Sequence, residues 1–225
     1  MSTSRVTVLR RPADSITTTL ASNRVLRNTY WLLGLTLAFS ALTAGASAAL
    51  KLPHPGLVVT LVGYFGLLYL TSRFRDRALG LAFVFALTGF MGYTLGPIVS
   101  AYLSLPNGQQ IVMTALGGTA ATFLGLSAYA LASKRDFSFM GGFLFAGILV
   151  AFLAGLAALF LQMPALSLAV SAVFVLLMAG LILFETSSII QGGETNYIMA
   201  TVSLYVAIYN LFLSLMQLLG FASSD

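Results

Sequence analysis

The chain contains no cysteine among its 225 residues. That excludes disulfides, thiolate metal sites and cysteine nucleophiles. Charge is equally scarce: eleven Lys and Arg, six Asp and Glu, 8% of the chain in all. A soluble domain carries about 25% charged residues, and a water-facing surface cannot be built from so few. There is one histidine, His54, set in a Pro-His-Pro turn. Zinc needs three or four donors, and no second donor lies near it in the sequence, so His54 reads as a solvated turn residue. Also missing are a serine-histidine-acid set, a Walker loop and an HExxH motif, so the chain does not read as an enzyme.

What it has instead is apolar sequence, 59% of the chain, with a mean hydropathy of +0.96. After a polar segment, residues 1–29, apolar runs follow at Tyr30–Leu50, Gly56–Ser72, Ala78–Leu103, Ile111–Ser133, Phe139–Gln162, Pro164–Ile190 and Tyr197–Phe221. At about 1.5 Å per residue, each run has the length to cross a hydrocarbon core of roughly 30 Å, the second being the shortest. Backbone groups in lipid must find partners within their own segment, which selects helices. The alternation of about ten residues that marks barrel strands is absent. The expectation is an all-α polytopic membrane protein of seven transmembrane helices, joined up and down by short connections. Residues 1–29 are expected to be an irregular polar tail on the cytoplasmic side and 30–225 the membrane domain. No cofactor is expected.

The basic residues give the orientation. Arg5, Arg10, Arg11, Arg24 and Arg27 precede the first run, Arg73, Arg75 and Arg77 follow the second, and Lys134 and Arg135 follow the fourth. Only Lys51 falls on the other side. Ten against one places the N-terminus in the cytoplasm and, with seven spans, the C-terminus outside. This distribution also explains the net charge of +5 without nucleic acid. An arginine-bearing start before Ala46-Ser47-Ala48 has some character of a signal peptide. The apolar stretch begins too late and runs too long for a signal core, so we read it as the first span.

Polar groups inside spans are costly, so they mark candidate sites. Glu185 is the one acidic residue inside a predicted span. Ser167, Ser171, Met178 and Glu185 share one helix face, which should point into the bundle. The carboxyl could meet a cation or a proton, or pair structurally with Arg73, Arg75 or Arg77. Gly89, Gly92 and Gly96 before Pro97 suit close helix packing with a kink, and Gly117-Gly118 and Gly141-Gly142 suit packing too. Tyr205, Tyr209 and Asn210 are candidates to line a cavity or to bond between helices.

The stretches Lys134-Arg135-Asp136-Phe137-Ser138-Phe139-Met140-Gly141, Phe184-Glu185-Thr186-Ser187 and Ser203-Leu204-Tyr205 resemble the Bax inhibitor-1 (transmembrane Bax inhibitor motif) family, from Arg24 to the end of the chain. Leu26–Tyr30, Gly192–Ile198 and Gly220–Ser223 resemble its proteobacterial inner-membrane branch. The resemblance implies a bundle with the last helix central. It also implies two activities: binding and inhibiting the FtsH AAA protease in membrane-protein quality control, as a slow substrate of it, or a pH-sensitive leak of calcium or protons. The leak is associated with two facing aspartates. Here Glu185 stands at the first aspartate position and Ala207 at the second. A proton-sharing pair needs two close carboxyls, so the leak reading is weakened.

Because the chain lacks cysteine, topology can be read by single-cysteine labelling. Cysteine at Ser2 or Ser133 should be protected from an impermeant thiol reagent in intact cells, and cysteine at Asn107 or Ser224 should label. The reverse pattern would invert the orientation.

Overall fold

The computed structural model describes residues 12–223, with side chains from Ser22 onward. Within it the chain forms seven α-helices: α1 (Pro12–Ala49), α2 (Leu57–Arg73), α3 (Ala78–Leu103), α4 (Gly108–Ser133), α5 (Gly141–Phe160), α6 (Pro164–Gln191) and α7 (Tyr197–Ala222). A 3-10 turn, Ser138–Met140, leads into α5. Six of the helices are long and apolar enough to cross a membrane, and α2, at 17 residues, is shorter. The chain is a polytopic membrane bundle.

One expectation needs correcting. Residues 12–29 are not an irregular tail but the first turns of α1, which runs for 38 residues. Pro12 suits the first turn of a helix, where its missing N–H costs nothing, and no proline or glycine follows until Gly34. A helix of that length is about 57 Å long, so its first half extends past the hydrocarbon. Tertiary contact fixes part of this extension: Thr29 is fully buried, and its carbonyl accepts a bond from the Thr201 hydroxyl, 3.3 Å away. Residues 1–11 lie outside the described residues.

Glycine sets how α1 and α3 meet. A Cβ on Gly89 would strike the Phe39 ring, one on Gly92 the Ser40 carbonyl and Thr43 hydroxyl, and one on Gly96 the Ala44 carbonyl. Both sequences advance together along this contact, so α1 and α3 are parallel, and α2 must return the full height of the bundle between them. Pro97 lies inside α3 without ending it. The paired glycines elsewhere divide. A Cβ on Gly141 would crowd the Phe184 ring at 3.0 Å, whereas Gly117 and Gly142 face open space.

The last helix is central, packing against α1, α2, α3, α4 and α6. The fifth helix sits outside, touching α6 and the 3-10 turn, so five helices touch α7. All three apolar clusters of the interior include α7: Leu204 and Tyr205 with Leu87, Ala207 and Leu211 with Met178, and Phe212 and Met216 with Ala115. The outer face is apolar as well, with Trp31, Val58, Phe145 and Phe160 largely exposed. That surface belongs against acyl chains.

The glycine contact makes a sharp prediction. Gly92→Ala should destabilise the bundle by about 1–3 kcal/mol, the usual cost of overpacking. Gly117→Ala, at an open site, should leave thermal stability in detergent unchanged or slightly raised.

Candidate functional site

Cross-helix hydrogen bonds show which loops share an end. The Asn196 amide, at the start of α7, donates to the Asp76 carboxylate at 2.8 Å and the Arg75 carbonyl at 3.3 Å. The Gln191 amide, at the end of α6, donates to the Lys134 carbonyl at 2.8 Å. Tyr30 of α1 meets the Thr186 hydroxyl at 3.4 Å. The α2–α3, α4–α5 and α6–α7 connections therefore gather at the end where α1 enters the bundle. Arg24, Arg27, Arg73, Arg75, Arg77, Lys134 and Arg135 all lie there, and Lys51 lies at the far end. The charge asymmetry read along the sequence is an asymmetry of the folded molecule.

The sequence Glu185-Thr186-Ser187 ties this end together, since three consecutive residues reach three different elements. Thr186 meets α1. The Ser187 hydroxyl donates to the Arg135 carbonyl at 2.9 Å and accepts from the Phe137 N–H at 3.1 Å, holding the α4–α5 connection. Glu185 is buried, and its carboxyl faces the Ser203 hydroxyl of α7. Glu194 in the α6–α7 connection acts on it electrostatically. That connection is shaped locally. Gly192 takes a left-handed φ of 78° that ends α6, and the Gly193 N–H closes on the Ser188 carbonyl at 2.8 Å. Asn196 then caps α7, its side-chain oxygen accepting from the N–H groups of Ile198 and Met199.

The proposed ion pairs to Glu185 are not formed. Among the described residues the one ion pair joins Arg75 to Asp76 at 3.7 Å. Arg77 lies 6.0 Å from the centre of the Phe74 ring. The reason is packing: α2 and α6 do not touch, and Asn196 holds the α2–α3 connection against α7. Ala207 is buried among Met178, Ile182 and Leu211, an apolar setting. In the α4–α5 connection, exposed Asp136 accepts from the Ser138 N–H at 2.8 Å, and that bond, with the Ser138 side chain, holds its pKa below the usual aspartate value. The stabilisation is present above the unfolded pKa and is lost only as pH falls through the lowered one, so Asp136 stays ionised at neutral pH.

The predicted polar face of α6 points at α7 along its length. The Ser171 hydroxyl donates to the Gln217 side-chain oxygen at 2.7 Å, and the Gln217 amide donates to the Ser167 hydroxyl at 2.6 Å. Tyr205 and Tyr209 do both things the sequence suggested. The Tyr205 hydroxyl bonds Ser40 at 2.6 Å and donates to the Thr88 carbonyl at 3.3 Å, and Tyr209 meets Thr94 at 3.2 Å. Both line a cavity of about 420 Å3 between α1, α3, α4 and α7. Asn210 does not line it, and its amide bonds the Val206 carbonyl of its own helix. A second cavity, about 540 Å3, opens between α2, α6 and α7 and reaches Ser203. Sequence reasoning missed Gln217, Ser203, Glu194 and Asn196. A register was available for two of them: Ser203, Asn210 and Gln217 recur every seven residues on α7, as Ser171, Met178 and Glu185 do on α6.

Residues 22–224 match the model of the family described as "Inhibitor of apoptosis-promoting Bax1". The chain belongs to the Bax inhibitor-1 family. It is 58% identical, over 93% of its length and 95% of the relative's, to an Escherichia coli K12 protein named "Modulator of FtsH protease YccA". A relative in E. coli strain CFT073, with the same identity and coverage, is named "Inner membrane protein YccA". An uncharacterized Pseudomonas aeruginosa protein is 56% identical over 89% of this chain and 90% of its own. The stretches that carried the resemblance to the family, Lys134–Phe137 and Glu185–Ser187, and to its proteobacterial branch, Tyr30 and Gly192–Asn196, are among those joined at the basic end.

Two substitutions separate roles here. Glu185→Gln breaks no ion pair and should leave the fold intact, with a melting temperature close to that of the parent. Tyr205→Phe leaves the buried Ser40 hydroxyl without its partner and should cost about 1–3 kcal/mol. Unfolding of Glu185→Gln would show that its charge is structural.

Proposed function

We propose that this chain is a non-enzymatic inner-membrane protein that binds and inhibits an FtsH-type AAA protease, with its N-terminus in the cytoplasm and its C-terminus in the periplasm. The observation that carries the reading is the 58% identity over nearly the full length of a protein named as a modulator of that protease. The orientation rests on the positive-inside rule applied to the basic end of the bundle. A processive protease must first grip a segment and then pull each helix from lipid. Apolar helices of this length resist extraction, so the chain would occupy the protease as a slow substrate and delay other membrane substrates. The basic segment ahead of α1, residues 1–11, is the grip in this scheme.

The alternative, a calcium or proton leak, has less support. The position for its second carboxylate is Ala207, which brings no carboxyl to the site and packs among Met178, Ile182 and Leu211.

Affinity capture from native membranes, read by mass spectrometry, should recover the protease with the full chain. Deleting residues 1–11 should lengthen the chain's pulse-chase half-life while co-purification persists through the helices. An unchanged half-life would remove the segment as the grip, and failure of the full chain to capture the protease would refute the reading.

A further inference from the structure

The outward face of α1 changes character in an ordered way. Arg24, Arg27, Trp31, Leu35 and Leu42 follow one another down a single exposed stripe, with Trp31 71% and Leu42 72% exposed. Arg27, Tyr30, Trp31, Gly34 and Leu35 line a groove of about 440 Å3. Gly34 makes its floor, since a Cβ there would meet nothing within 4 Å. No acidic residue lines the groove, and neither arginine has an ion-pair partner among the described residues.

The spacing matches the depth of one leaflet. Trp31 to Leu42 spans about 16 Å of helix, close to half of the roughly 30 Å hydrocarbon core. Trp and Tyr favour the headgroup level. With Trp31 there, Arg27 stands about 6 Å and Arg24 about 10 Å further out, among the phosphates. The apolar stripe below offers a track for an acyl chain, and the hollow at Gly34 lets it lie against the helix.

We propose that this face of α1 is a binding site for an anionic phospholipid, its headgroup held by Arg27 and Arg24 and one acyl chain seated past Trp31 over Gly34. Charge complementarity selects the occupant: two guanidinium groups that are unpaired among the described residues, beside a groove lined by no acid, favour a phosphate bearing net negative charge over a zwitterionic headgroup. The site requires only that both arginines and the groove lie on the same leaflet, so it does not depend on the orientation or on the protease.

Trp31 is the sole tryptophan, so it reports on its own site. The full chain is reconstituted in phosphatidylcholine vesicles containing increasing fractions of either phosphatidylglycerol or phosphatidylcholine with brominated acyl chains, which quench tryptophan on contact. Brominated phosphatidylglycerol should quench at a severalfold lower mole fraction, since each basic residue near a membrane surface is worth roughly fivefold in affinity. Arg24→Gln with Arg27→Gln should abolish the preference, and the single Arg27→Gln should reduce it where the double variant fails to fold. Arg135→Gln, which alters a basic residue at the same end away from α1, should retain it. Equal quenching by the two lipids, a preference that survives loss of both arginines, or an equal loss in Arg135→Gln would each overturn the site.

Discussion

Hydrocarbon offers a polar group no partner, and that constraint governs what α7 can be. Because it packs against five helices, its polar side chains must find protein partners, on a neighbouring helix or, as for Asn210, on their own. Across helices these partners are the Thr29 carbonyl for Thr201, Ser40 and Thr88 for Tyr205, Thr94 for Tyr209, and Ser167 and Ser171 for Gln217. These bonds tie α7 to α1, α3 and α6 at four heights. Such bonds fix helix register where apolar packing alone tolerates sliding, because a slipped register would strand buried hydroxyls.

The two ends of the bundle do different work. The basic end is joined by side-chain to backbone bonds from Ser187, Gln191 and Asn196, which knit three connections and the start of α7 into one surface. Lys134, Arg135 and the three arginines after α2 sit on that surface, and the α1 stripe with Arg24 and Arg27 runs down from it. With the orientation proposed above, a cytoplasmic partner and the lipid headgroups would both meet this end first. The carboxyl of Glu185 lies just beneath it, buried beside Ser203 and without an arginine.

Most of the architecture was legible in the sequence, because span length and hydropathy are imposed by the solvent. The apolar runs and the helices agree within a few residues for α2 through α7. The start of α1 was not legible: residues 12–29 carry no apolar period, and their helix is supported by contacts such as Thr29 with Thr201, which no local pattern announces. The inward face of α6 could be read from spacing alone. Its partners could not, since which hydroxyl answers Glu185 depends on the antiparallel register of α6 and α7. The ion pairs suggested for Glu185 failed for a related reason: closeness along the charge pattern says nothing about whether α2 reaches α6.

On the proposed function, this bundle acts by engaging a protease rather than by conducting ions. The direct measurement is a reconstitution of purified chain and FtsH in proteoliposomes, following the degradation rate of a second membrane substrate together with calcium entry. On this reading, degradation should slow as the chain is added, at a calcium leak no greater than that of protease-only vesicles. An unchanged degradation rate accompanied by chain-dependent calcium entry would contradict it.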